Sequence, residues 1–257
     1  PRGIPHACGS YEELVKDPEI DVVYIGVPHT FHRACAELAI KAGKHVLCEK
    51  PMCVNRKEAE KLQEAARKEG VFLMEAMWTK FLPVIQEVKK LLDAGAVGEI
   101  LGIEASFGFW NPFDEKARLY NKQLGGGALL DVGIYPLNLA CFLMGKLPVT
   151  TESQAVLGET GVDEINAMLL IKRNCRLIHL SQPLNRSSKT CMRPAQILIR
   201  FTRKFIKFNF FISCILTIIQ KNTSSTNTAF LIYQQVDHRR STEYLIRVKG
   251  PLITFEK

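Results

Sequence analysis

Apolar residues in the first 75 positions fall into short blocks separated by stripes at helical spacing. Asp21-Val22-Val23-Tyr24-Ile25-Gly26, His45-Val46-Leu47-Cys48 and Val71-Phe72-Leu73-Met74 are brief apolar runs, the pattern of buried strands. Between them the period lengthens. Residues 31–42 read as a helix stopped by Gly43, and Asn55 with Glu58 caps a second one that runs to Gly70. An earlier short helix starts at Ser10, with Glu13 three residues on as a capping box, and ends before Pro18. This β-α-β-α-β order predicts a parallel sheet with helices on both faces.

The pattern changes after residue 80. A helix is expected over 81–92 and a long apolar strand from Glu99 to Trp110. A loop with Asn111-Pro112 and Gly125-Gly126-Gly127 follows. Residues 128–144 predict a strongly apolar helix ending at Gly145. Three strands of an antiparallel sheet are then expected at 152–158, 164–171 and 175–181.

Composition divides the chain again near residue 182. The whole carries a net charge of +8, but residues 1–182 hold 21 Lys+Arg against 23 Asp+Glu, and residues 183–257 hold 13 against 3. The basic excess therefore belongs to the last segment and says nothing about the partners of the rest. That segment has one glycine, Gly250, and lacks helix caps and turn signals, so it is expected to be poorly ordered. Its apolar stretch, Phe208–Ile219, is too short to span a bilayer. The expected division is 1–75, 76–182 and 183–257. None of the eight cysteines forms a C-x-x-C pair or a zinc-like spacing, and they are expected to be reduced thiols of a cytoplasmic protein. Pro1–Pro5 has no apolar leader and no initiator Met, so residue 1 is not expected to be the true start. No metal, nucleic-acid or membrane partner is expected.

Two motifs carry chemistry. Glu49-Lys50-Pro51 directly follows a predicted strand, at the carboxyl end of a parallel sheet, where such sheets bind ligands. Asp131 and Tyr135 are spaced i, i+4 in an otherwise apolar helix and share a face. A carboxylate and a phenol in such surroundings are costly unless hydrogen-bonded or used. A free tyrosine titrates near 10, and a lysine cation beside it would favour the phenolate, so Lys50 and Tyr135 would form a proton-transfer couple for alcohol oxidation. Asp131 would orient the substrate hydroxyl or the lysine. A structural Asp–Tyr pair in a core is the alternative.

Glu49-Lys50-Pro51 with Gly125-Gly126-Gly127-Ala128-Leu129-Leu130-Asp131-Val132-Gly133-Ile134-Tyr135 resembles the signature of the glucose-fructose oxidoreductase / inositol dehydrogenase family of NAD(P)-dependent enzymes. The likeness covers roughly residues 4–182 and includes Leu73–Phe81 and Glu159–Asp163. Most relatives carry histidine where this chain has Tyr135, which favours the branch of the family that oxidises dihydrodiols. The resemblance implies a partial Rossmann doubly wound sheet followed by a truncated α+β domain with a largely antiparallel sheet. It implies Lys50, Asp131 and Tyr135 as catalytic residues. His29, Glu49, Lys50 and Pro51 would lie along the cofactor, NADP, and Trp78 and Phe107 would line an apolar substrate pocket. The implied reactions are oxidation of aromatic trans-dihydrodiols to catechols, oxidation of D-xylose and reduction of dicarbonyls, in a homodimer. The family's G-x-G-x-x-G turn does not occur in residues 1–257, so a catalytically inactive fragment that associates with a full-length partner is the alternative.

Overall fold

The computed structural model describes residues 6–96, 100–109, 111–145, 147–172 and 175–181, together with six strands between Ala195 and Phe255. Helix α1 (Tyr11–Lys16) starts where Ser10 accepts a hydrogen bond from the Glu13 N–H at 3.1 Å. The Glu13 carboxylate reaches back to the Gly9 N–H rather than to Ser10 itself. Strands β1 (Val22–Ile25), β2 (His45–Cys48) and β3 (Leu73–Glu75) form a parallel sheet in that order. The connections are α2 (His32–Lys41) and α3 (Arg56–Glu69). Asn55 caps α3 through the Glu58 N–H, and Gly70 closes it at φ 68°.

One face of this sheet is closed. Val15, Ile25, Ile40, Val46 and Leu62 pack into a cluster drawn from all three helices and from β1 and β2. Each such side chain, fully buried, is worth about 1.5–3 kcal/mol. The other face differs from the expected buried strand: Val22 and Tyr24 are 57% and 59% exposed. The reason is that β1 is an edge strand whose alternate residues point away from α1–α3, and no described element covers them. Cys48 lies inside the closed face, where burial pushes its thiol up to about 12. It is a free thiol, as are Cys8, Cys35, Cys53 and Cys141.

A second sheet holds ten strands in the order β13-β12-β11-β10-β9-β8-β4-β7-β6-β5. β4 (Ile100–Phe107) pairs parallel with β7 (Cys175–Ser181), and every other pairing is antiparallel. The outer strands are β5 (Thr150–Leu157) and β6 (Asp163–Lys172) at one side. At the other are β8 (Ala195–Phe201), β9 (Lys204–Phe210), β10 (Cys214–Lys221), β11 (Asn227–Gln235), β12 (Glu243–Arg247) and β13 (Ile253–Phe255). Helices α4 (Pro83–Asp93) and α5 (Ile134–Met144) close a core of Val84, Ile85, Val88, Ile103, Leu139, Leu143 and Leu170. This burial accounts for the apolar character of α5. The stretch Lys122–Met144 is apolar enough to cross a membrane by length and composition alone, and half of its most apolar window is buried in the fold.

The expected single helix over 128–144 begins instead as a π-helical turn, Leu129–Gly133. The Ile134 N–H reaches back five residues to the Leu129 carbonyl. Two side chains from elsewhere take up backbone groups in this turn: the Asp163 carboxylate accepts the Leu129 N–H at 2.7 Å, and Lys50 donates to the Asp131 carbonyl at 2.6 Å. Asp163 thus caps a donor that the helix start leaves free, whereas Lys50 takes a carbonyl from within the helical ladder.

Candidate active site

Lys50 directly follows Glu49 at the carboxyl end of β2. Its ammonium crosses to the second half of the molecule. Nζ lies 2.6 Å from the Asp131 carbonyl oxygen, 3.6 Å from Asp131 Oδ1 and 4.6 Å from the centre of the Tyr135 ring. The Lys50 side chain is 12% exposed and that of Asp131 10%, so the pair is largely shielded from water. The three residues separated by 85 positions are thus brought to one point. The widened turn does not spoil the shared face expected of Asp131 and Tyr135. What differs is the contact: Lys50 stands over the ring of Tyr135, while the phenol oxygen accepts a hydrogen bond from Trp78 Nε1 at 3.3 Å.

Aromatic rings surround Tyr135. Trp78, on a short 3-10 turn after β3, sits edge-on with centroids 5.8 Å apart. Phe107, at the end of β4, lies 5.4 Å away. Trp78 is half exposed, so this wall faces solvent and can accept an apolar ring. Glu49 takes a hydrogen bond from the exposed Tyr24 hydroxyl at 2.6 Å, which holds the Tyr24 phenol above its ordinary range.

His29, expected along the cofactor, lies behind the glycine loop. It is buried, and both ring nitrogens are engaged within the protein. Arg118 Nη1 donates to Nε2 at 3.4 Å, which leaves the proton on Nδ1 to be donated to the Gly125 carbonyl at 2.9 Å. Burial, more than the nearby cations Arg118 and Lys50, lowers its pKa and favours this neutral form. His29 therefore supports the glycine loop from behind. His32 does the same for Pro51: completely buried, it sets its ring nitrogens 2.8 Å from the Pro51 and Val27 carbonyls.

The glycines of the triplet are explained by close neighbours. A Cβ on Gly126 would lie 2.6 Å from the Leu119 carbonyl oxygen and 2.7 Å from that of Arg118. Gly127 combines φ 118° with a Cβ position that overlaps Asp163 Oδ1. Asp163 thereby anchors the start of the helix that carries Asp131 and Tyr135. Its carboxyl pKa is raised by burial, against the opposing effect of the backbone N–H groups it accepts.

Arg118 escaped the sequence reading. Its Nη2 donates to Asp131 Oδ1 at 2.9 Å, the shorter of the two ion pairs made by that carboxylate. The signal for it was indirect: three glycines in a row demand a backbone passing close by, and residues 118–119 are that backbone.

Parallel strands thus deliver a lysine from their carboxyl ends, where open sheets bind ligands, to an Asp–Tyr pair on the second half of the chain. The chain belongs to the GFO/IDH/MocA family. Residues 3–77 match the oxidoreductase family with NAD-binding Rossmann fold, and residues 85–187 match the GFO/IDH/MocA C-terminal domain. It is 45% identical over 168 residues to trans-1,2-dihydrobenzene-1,2-diol dehydrogenase of Xenopus laevis, across 65% of this chain and 50% of that protein. The chain thus spans about half the length of the curated relatives it matches. Aldose-aldose oxidoreductase from Caulobacter crescentus, complexed with glycerol, is 25% identical with a TM-score of 0.70, over 96% of this chain and 66% of that one. Levoglucosan dehydrogenase in complex with NADH and levoglucosan shares the fold, with a TM-score of 0.76 at 20% identity, over 88% and 64%.

The residues present fit the nicotinamide end of such a cofactor. Glu49, Lys50 and Pro51 stand where open sheets bind ligands, and the Lys50 cation is held by the Asp131 backbone carbonyl of the second half of the chain rather than folded away.

Proposed function

We propose that this chain carries the catalytic part of an NADP-dependent dehydrogenase that oxidises aromatic trans-dihydrodiols to catechols, and that also oxidises D-xylose and reduces dicarbonyls. The supporting observation is that Lys50 meets both Asp131 and the Tyr135 ring, beside an aromatic wall of Trp78 and Phe107. The curated relatives at 40–45% identity bear the dihydrodiol name.

Glu49, Lys50 and Pro51 would hold the nicotinamide end. When bound, the cofactor supplies the hydride acceptor. Tyr135, as phenolate, takes the proton from the substrate hydroxyl while the C–H bond of the same carbon breaks and C=O forms. The cation of Lys50 over the ring favours the negative charge that this step requires. The Asp131 backbone carbonyl holds the Lys50 ammonium against the ring. Trp78 and Phe107 receive the apolar ring of the diol, and the hydroxydienone that leaves tautomerises to catechol.

The second reading, a catalytically inactive fragment that associates with a full-length partner, is favoured by the uncovered face at Val22 and Tyr24. Titration of the purified chain with NADPH, followed by nicotinamide fluorescence, separates the two. A saturable enhancement, with NADP-dependent oxidation of trans-1,2-dihydrobenzene-1,2-diol, supports the dehydrogenase. No response supports the fragment.

A further inference from the structure

We propose that Arg118 is a positioning residue that keeps Lys50 available for chemistry by holding the Asp131 carboxylate away from it. The inference deepens the dehydrogenase reading and rests on it for its meaning, though not for its test. Asp131 is 7% exposed, and a buried carboxylate must be paired. Two cations compete for the same oxygen, Oδ1: Arg118 Nη2 at 2.9 Å, within hydrogen-bonding range, and Lys50 Nζ at 3.6 Å, outside it. Arg118 therefore satisfies the charge, and Lys50 spends its donor on the Asp131 backbone carbonyl instead. That carbonyl orients the ammonium without neutralising it, so the cation remains to face Tyr135.

Arg118 is itself held on the other side. Its Nη1 donates to His29 Nε2, and His29 is tied to Gly125. The guanidinium fork is suited to this because it is planar and offers several donors at fixed angles, whereas an ammonium is a point charge. The arginine joins the turn after β1 to the helix start that bears Asp131. Without it, Lys50 is the cation left beside the carboxylate among the described residues. The Asp131 carboxylate would then close from 3.6 Å to hydrogen-bonding range of Nζ, drawing the cation off the ring.

The test reads the Lys50 amine in the full chain without cofactor or substrate. Competitive labelling with light and heavy acetic anhydride at fixed pH, followed by peptide mass spectrometry, gives the relative reactivity of Nζ. Arg118→Met is expected to slow labelling of Lys50 by about threefold to tenfold, since a tighter carboxylate partner holds the ammonium protonated. Arg118→Lys should restore it to within about twofold of the original, because one cation again neutralises Asp131. In an Asp131→Asn background, Arg118→Met should have no further effect on Lys50. Arg118→Gln, which keeps a donor but not the charge, carries the test if the methionine variant does not melt cooperatively, and it should also be slowed. Labelling that is unchanged or faster in these variants overturns the proposal, as does an equal loss in the Asp131→Asn background. Absence of NADPH binding or diol oxidation would count against the dehydrogenase reading while leaving these labelling outcomes interpretable.

Discussion

The Lys50 ammonium lies over the face of the Tyr135 ring, 4.6 Å from its centre, and not at its hydroxyl. The two functions of Tyr135 are therefore separable. The ring holds the cation, worth about 0.5–2 kcal/mol, and in the proposed reaction the hydroxyl handles the proton. Tyr135→Phe should keep the fold and the position of Lys50 while lowering diol turnover by at least about a hundredfold. Stopped-flow kinetics beside a thermal melt measures both. Turnover within about threefold of the original would remove the proton-transfer role from Tyr135.

Trp78 tests the pocket. Its indole donates to the Tyr135 oxygen, and its ring is half exposed beside it. Trp78→Phe keeps an aromatic wall and removes the donor. The expected result is a kcat lowered by about threefold to tenfold with a smaller change in KM, consistent with the worth of one neutral hydrogen bond. Steady-state kinetics on an aromatic diol provides the measurement.

Gly127 tests the anchor of the catalytic helix. Alanine there meets both the positive φ and the Asp163 carboxylate, so the loop or Asp163 must move. Gly127→Ala should cost about 2–4 kcal/mol of stability, read as a lowered urea midpoint. A neutral result would mean that the loop relaxes freely and that Asp163 does not anchor it.

His29 and Asp163 give opposite pH dependences. The folded-state pKa of His29 lies below its ordinary 6.5, so the folded chain binds fewer protons than the unfolded one in the window just beneath that value. Stability is then full above 6.5 and is lost as pH falls through the window. His29→Gln, which can still bridge Arg118 and Gly125, should flatten that loss. Asp163 lies above its ordinary 3.8, so the folded chain binds more protons in the window just above that value, and stability falls as pH rises through it. Asp163→Asn should remove that fall. Urea titrations at a series of pH values decide both signs, and a matching slope in a variant and its parent would refute the corresponding assignment.

The local features were written in the sequence because they depend on neighbours a few positions away. Ser10 and Asn55 cap the helices that follow them, and Gly70 and Gly145 end theirs at positive φ. Each is a contest between a side chain or a bare Cα and the nearest backbone groups. Asp131 and Tyr135 stood out for a related reason, as polar residues in an apolar helix, whereas Lys50 stood out by its place at the carboxyl end of a strand and by the resemblance of Glu49-Lys50-Pro51 to a family motif.

Tertiary structure alone decided the rest. Nothing within a few residues of Arg118 tells it to pair with Asp131 and His29, 13 and 89 positions away. The exposure of Val22 and Tyr24 depends on which elements lie beside β1, not on the apolar run itself. At the π-helical turn Lys50 reaches in from beyond the end of β2 and takes the Asp131 carbonyl, a group that a regular α-helix would use itself, while Asp163 caps the Leu129 N–H that any helix start leaves free. Local sequence fixes what each segment prefers. Packing fixes which charges meet, because burial makes an unpaired group costly and so selects partners by position in space rather than in the chain.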